Sequence, residues 1–386
     1  MERQLEADIT SQVPIESIFI DRSVSQTAFV QRLGDNLKKY PGYKNVSWIE
    51  IDNYKKFIEE NSDSYSFERG KQNIILYPEK GEFLHACPGS DGVLCCHYYV
   101  LDFGMNCPYD CHYCFLQTYL TSPFFKMAAN IDELLVKLKE KLSQNSATNS
   151  NRLRIGTGEY TDSLATDHLT GLSIDLVRFF RAIPNTTLEL KTKSTNIENL
   201  LHIDPDGTVV VSWSVNPPSV IEEAEIGCPT LEARLEAAAK IIQAGYQVAF
   251  HFDPIIAIEN WENEYKKVID TIFNKIDPAK IRWISLGTFR YTPGLKEKLR
   301  MRYPNETITR NEMFPGKDGK IRYFFPKRVL IYKTLQEYIR KLCPEMFIYL
   351  CMEVRSAWQP VFHYTPSGPL TLDNQFEQRR KDLSQK

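Results

Sequence analysis

The sequence predicts an α/β fold: a partial (β/α)6 barrel of the TIM type behind a small N-terminal α/β domain. Two observations carry that reading. From about Tyr98, six strand-like runs alternate with amphipathic helical stretches, the pattern of βα units in a parallel sheet. Directly after the first run comes a loop with three close cysteines. In a barrel of βα units, reactive groups gather at the C-terminal ends of the strands, which is where that loop falls.

Residues 1–85 read as the small domain. "SIFID" and "VSWIEI" have strand character, "SQTAFVQRLGDNLKKY" has the apolar spacing of a helix, and "NIILY" is a short buried strand. The stretch "PEKGEFLHACPGSDG" from Pro78, rich in turn formers, marks the boundary. The barrel is expected over 86–355, with strands in "YYVLDFG", "LRIGTGE", "TLELKTK", "TVVVSWSVN", "YQVAFHFDP" and "IRWISLGTF". Helical stretches such as "NIDELLVKLKEKLSQ" and "TLEARLEAAAKIIQAG" lie between them. After Thr292 the rhythm breaks into a hairpin around the D-G turn of "GKDGKIRYFFPKR", a helix in "VLIYKTLQEYIRKL" and a last strand in "MFIYLCME". Residues 356–386 are expected to be a tail, polar and loose from Ser367.

At 386 residues and 42% apolar, the chain can bury a large core. Lys and Arg (47) nearly balance Asp and Glu (49), which excludes a bulk nucleic-acid binder and leaves only a local basic patch for such contacts. "MERQLEADITSQVP" lacks the pattern of a signal peptide, and no apolar run approaches the roughly 18 residues of a membrane span. A cytoplasmic location is expected, where nine cysteines point to metal or redox chemistry rather than a disulfide framework.

Cys107, Cys111 and Cys114 are spaced C-x3-C-x2-C in "GMNCPYDCHYCFLQTYL". Structural zinc wants four ligands, commonly as two separated pairs. Three thiolates in one short loop suit a cubane iron–sulfur cluster whose fourth iron stays open to a small molecule. The alternatives are zinc completed by Cys87, Cys95 or Cys96, and unliganded buried thiols.

The loop resembles that of the radical S-adenosylmethionine (SAM) superfamily, and its surroundings resemble the spore photoproduct lyase family. "CHYCFLQTYL", "DSLATDHLT", "KTKS", "WSVN", "NWENEY" and "RYTPGLKEKLRMRYP" match family segments in order, and "WIEIDNYKKFI" matches its small N-terminal domain. The resemblance implies a 4Fe–4S cluster at the three cysteines, SAM cleaved to a 5′-deoxyadenosyl radical, and repair of a thymine photoproduct in DNA. It also implies an electron donor such as flavodoxin or ferredoxin. By position, Lys193 and Ser214 correspond to SAM contacts, Asn216 assists, and Glu159 of "RIGTGE" meets the SAM amine. The small residues of that stretch are expected to let the backbone approach SAM.

Two positions depart from the family. Glu159 stands where characterised spore lyases carry a hydrogen-donating cysteine, and Phe115 where they carry a tyrosine, although Tyr113 is retained. An ionised carboxylate cannot donate a hydrogen atom. Tyr160 is a candidate substitute, against ordinary packing. Cys87, Cys95 and Cys96 are open to three functional readings, a second metal site, a redox pair or the missing donor, and equally to that of buried thiols. Lys317, Lys320, Arg322, Lys327 and Arg328, interleaved with Tyr323 and its neighbouring phenylalanines, offer cations for phosphates and rings for unstacked bases. Arg290 precedes them as a further basic candidate. The competing reading is a solvated hairpin with its apolar side chains on the core. His168 and Asp253 also fall at element ends facing the expected site, where structural roles are the simpler reading. A radical SAM enzyme on a modified nucleoside, peptide or metabolite, and a zinc-bearing nucleic-acid-binding protein, remain the rival functions.

Overall fold

The computed structural model describes residues 13–384 apart from 88, 90, 91 and 147–151. Residues 1–12, read above for a targeting signal, and part of the turn-rich boundary stretch lie outside the described residues. The six expected barrel strands are Tyr98–Leu101, Leu153–Gly156, Thr186–Thr192, Val209–Ser214, Gln247–Ile255 and Ile281–Thr288, parallel neighbours in chain order. Ile348–Leu350 adds a seventh parallel strand beside the last, and Leu84–Ala86 pairs antiparallel with the first. The result is an open, curled half-barrel.

The barrel strands are buried almost throughout, because helices cover one face and the interior closes over the other. The alternation of "TLELKTK" sorts the faces. Leu188 and Leu190 join the core, while Glu189, Lys191 and Lys193 line the interior.

The small sheet is not complete at residue 85. Ser47–Ile51, Ser17–Asp21 and Asn73–Tyr77 run parallel, and Phe125–Ala128 joins as a fourth parallel strand. Gly104–Met105 then pairs antiparallel with Phe125–Ala128. Both stems of the cysteine loop therefore belong to the small sheet, although they follow the first barrel strand in sequence. Local patterning shows strands but not which sheet they enter.

The tail is not loose. Helices Arg355–Phe362 and Pro369–Ser384 close the end of the chain against the barrel. Leu372 and Phe376 are buried, and the Phe376 ring meets Trp283 edge-on. The Arg154 guanidinium lies 3.6 Å over that same ring. One narrow apolar stripe on a polar helix was enough to dock it, and that stripe is easily read as a solvated tail.

His168 lies away from the cavity, at the join between the two domains. Its Nε2 is 3.1 Å from the Tyr43 hydroxyl, and its ring packs against Tyr40 and Tyr43. Beside it Arg32 donates to the Thr170 carbonyl at 2.8 Å and Asn36 to that of Leu169 at 2.7 Å. Burial pushes the His168 imidazole down from 6.5 to about 4. A folded pKa below the unfolded one gives stability that is complete above 6.5 and is lost as pH falls toward 4. Urea midpoints across that window should register a loss on the order of 3 kcal/mol, and His168→Phe should flatten that part of the profile.

Candidate active site

A cavity of about 420 Å³ opens at the C-terminal ends of the barrel strands. Cys107, Cys111 and Cys114 all face it. Among the described residues, no three His, Cys, Asp or Glu side chains converge tightly enough to hold one metal ion. Three soft thiols from one short loop on one cavity are the donor set that holds an iron–sulfur cluster. Burial pushes the Cys107 and Cys114 thiols up, so they stay protonated until a cation takes them. Tyr98 also lines the cavity, and its buried hydroxyl has no protein partner.

The loop is held from every side. Lys71, 2% exposed, donates to the Tyr109 carbonyl at 2.6 Å and to Asp110 at 2.9 Å. Arg302 donates to Asp110 at 2.6 Å and also bonds Glu68 and Gln117, and the Tyr303 ring stacks 3.6 Å from that of His112. Burial works against the Asp110 charge, but Lys71 and Arg302 hold its carboxyl well below the usual range. Asp110–Cys111 pairs antiparallel with Glu225–Ile226. Arg302 and Tyr303 were not singled out in the sequence; their signal was the segment "RMRYP", whose role is to clamp this loop.

Glu225 and Arg234, both fully buried, form an ion pair behind the loop. The Tyr113 hydroxyl and the Asn216 amide, at 2.9 Å, both donate to Glu225. Asn216 accepts from the Tyr265 hydroxyl at 2.8 Å and is 1% exposed. The expected SAM-contacting role does not fit Asn216, whose amide is spent on protein partners away from the cavity. Tyr113 lines the cavity with its ring, while its hydroxyl is committed to Glu225.

Lys193 and Ser214 line the cavity as expected. The Lys193 backbone donates to Asp162 at 2.7 Å, and its ammonium sits 5.6 Å from the Tyr113 ring centre. Glu159 also lines it, paired with Lys191 at 3.5 Å, a lysine the sequence reading passed over beside Lys193. The glycines of "RIGTGE" serve the protein itself. A methyl at Gly156 would fall 1.5 Å from the Tyr98 hydroxyl, and one at Gly158 2.7 Å from Lys191. Deeper in, His251 bridges Glu189 at 2.6 Å and Ser285 at 2.7 Å. Burial opposes the charge on Glu189, yet His251 and Arg154 hold it down at about 2.

Cys87 and Cys96 face the cavity. The Cys95 sulfur instead accepts from the His97 backbone at 3.3 Å.

Tyr160 lines the cavity beneath Tyr119, the rings stacked 5.5 Å apart and 18° from parallel. Tyr119 is 58% exposed, and Phe115 meets it edge-on.

The basic hairpin is mostly structural. Arg322 pairs with Asp318 and donates to the Met352 carbonyl at 3.0 Å, and Arg328 pairs with Glu353 at 2.8 Å. Tyr323 is fully buried, its hydroxyl accepting from the Ala257 backbone at 3.0 Å. These three are withdrawn from any nucleic-acid contact, because protein partners use them. Arg290 faces the cavity but is tied to Asp253 at 2.9 Å, and Lys327 donates to Asn311 at 2.7 Å. Lys320 lines the cavity and Lys317 is exposed. The exposed rings are Phe314 and Phe324, 5.6 Å apart.

The model of one protein family, spore photoproduct lyase, matches residues 91–351. The chain belongs to the spore photoproduct lyase family. That family consists of radical SAM lyases that work with a 4Fe–4S cluster and SAM. Curated relatives include spore photoproduct lyase of Bacillus subtilis (strain 168), 28% identical over 259 residues, covering 64% of this chain and 74% of that protein. The one from Geobacillus sp. (strain Y412MC61) is 26% identical over 255 residues, with the same 64% and 74% coverage. Among solved structures, spore photoproduct lyase complexed with dinucleoside spore photoproduct superposes with a TM-score of 0.76 at 20% identity, covering 88% of this chain and 99% of that one. A double mutant with bound AdoMet and dinucleoside spore photoproduct gives 0.74 at 20% identity, covering 88% and 100%. These likenesses establish the shared fold.

Glu225→Ala would strand the Arg234 charge and free the Tyr113 hydroxyl. It should cost about 3–5 kcal/mol in denaturant unfolding, with Glu225→Gln losing less.

Proposed function

We propose that the chain is a radical SAM enzyme that acts on a damaged or modified base in nucleic acid, in the manner of spore photoproduct lyase. The observation that carries this is the convergence of Cys107, Cys111, Cys114, Lys193, Ser214 and Glu159 on one cavity in a chain of that family. When bound, the cluster and SAM supply a one-electron reduction and a carbon radical able to take hydrogen from a substrate.

The residues divide the work. Cys107, Cys111 and Cys114 hold the cluster, with Lys71 and Arg302 fixing the loop that carries them. The Lys193 ammonium meets the SAM carboxylate and Ser214 hydrogen-bonds it, while Glu159 meets the SAM amine. Lys191 holds the Glu159 carboxylate in place. Tyr119, backed by Tyr160, offers an open face on which a base stacks, and Lys317 and Lys320 suit phosphates. Phe314 and Phe324 extend that surface. Cys87 is the cavity thiol suited to hydrogen-atom return in place of the absent cysteine, since burial and the neighbouring Glu159 keep it protonated. A small redox protein of the flavodoxin or ferredoxin kind delivers the electron, in a cytosolic setting.

A second reading keeps the same cofactor machinery but a different substrate. The Glu159–Lys191 pair at the family's thiol position favours it, since that pair offers a polar, hydrogen-bonding wall instead of a hydrogen donor.

Anaerobic reconstitution should load about four irons per chain, with an electron paramagnetic resonance signal that shifts on adding SAM. The Cys107→Ala, Cys111→Ala, Cys114→Ala triple variant should take up none, and zinc alone with no SAM response would remove the enzyme reading. Tyr119→Ala should weaken binding of an ultraviolet-damaged oligonucleotide about 5- to 100-fold, and Tyr119→Trp should preserve it. Unmeasurable binding by the parent chain would turn the assignment toward the second reading.

A further inference from the structure

A fourth thiol stands beside the cluster loop that the motif does not contain. Cys228 lies 117 residues after Cys111, and their sulfurs are 3.8 Å apart. The main chain builds this pairing. Asp110–Cys111 and Glu225–Ile226 form a short antiparallel ladder, and the Cys228 backbone donates to the Glu225 carbonyl at 3.0 Å. Gly227, at φ 81°, turns the chain so that Cys228 comes back over Cys111. All nine cysteines are free thiols, and among the described residues this is the one pair whose sulfurs touch.

The two thiols differ in access. Cys111 is buried at 8% exposure and faces the cavity, while Cys228 is half-buried in a turn beside the exposed Ile226. Cys228 is not part of the cavity wall, so cluster and SAM binding leave it unused. With no cluster seated, an oxidant entering the cavity meets Cys111, and Cys228 stands behind it.

We propose that Cys228 is a resolving thiol for Cys111: without the cluster, the two close a disulfide that withdraws one of the three cluster ligands until a thiol reductant reopens it. The oxidant is a small-molecule disulfide, such as oxidised glutathione. The Cys111 thiolate attacks one of its sulfurs, the S–S bond breaks, and one glutathione leaves and is protonated. Cys228 then gives up its proton and attacks the Cys111 sulfur of the mixed disulfide, and the second glutathione leaves and is protonated. The protein loses two electrons and two protons, and the glutathione disulfide gains both. The sulfurs must close to about 2.05 Å, and the exposed Gly227 turn is where the backbone can give. The linkage keeps a cluster ligand off the irreversible steps of thiol oxidation. A seated cluster occupies Cys111 and prevents it.

The test uses the full chain, freed of iron, treated with oxidised glutathione and digested without reductant for mass spectrometry. A peptide linked through Cys111 and Cys228, absent when the cluster-loaded chain is treated alike, is the expected result. Iron uptake by the oxidised chain should be lost and should return with dithiothreitol, whereas in Cys228→Ser and Cys228→Ala the same oxidation should stop at a glutathione adduct on Cys111. Both variants must first load iron like the parent when reduced, which shows the site is intact. No linkage, linkage confined to Cys107, Cys111 and Cys114, or variants that carry no glutathione adduct on Cys111 would overturn the proposal.

Discussion

The cysteine loop has almost no structure of its own, and the rest of the site depends on how it is clamped. Its only ladder is the pair of residues Asp110–Cys111 against Glu225–Ile226. A loop that must present several thiols to one cavity cannot collapse on itself, so its shape has to come from outside. Its stems enter the small sheet, Lys71 and Arg302 hold Asp110, and Glu225 holds the Tyr113 hydroxyl. Buried charges suit this task, since each is costly unless its partner sits in one place. They fix position more than they add stability.

The same economy runs through the barrel interior. Glu159 with Lys191, Asp253 with Arg290 and Glu189 with His251 face inward from strand ends, each charge compensated by a neighbour. These inward-facing charges are therefore balanced pair by pair. Of the hairpin's basic side chains, Lys317 is exposed and Lys320 lines the cavity.

The small domain gains a purpose from this arrangement. Its sheet takes in Phe125–Ala128 and Gly104–Met105, and its helix Ala28–Leu37 docks on the barrel through Arg32 and Asn36. It is a bracket for the cysteine loop.

The barrel strands, the cysteine loop and the cavity-facing lysine and serine were readable along the chain, because each is written in a local pattern. "TLELKTK" alternates with period two, C-x3-C-x2-C is a contiguous spacing, and Lys193 and Ser214 sit at strand ends. What the chain order hides is pairing between distant segments. Arg322, Arg328 and Asn216 look available in sequence and are consumed by Met352, Glu353 and Tyr265. Lys71, Arg302 and Cys228 look ordinary and are brought to the loop across 39, 192 and 117 positions. A side chain's chemistry is set by residue type, but whether that chemistry is free or spent depends on partners that only folding brings within hydrogen-bonding distance.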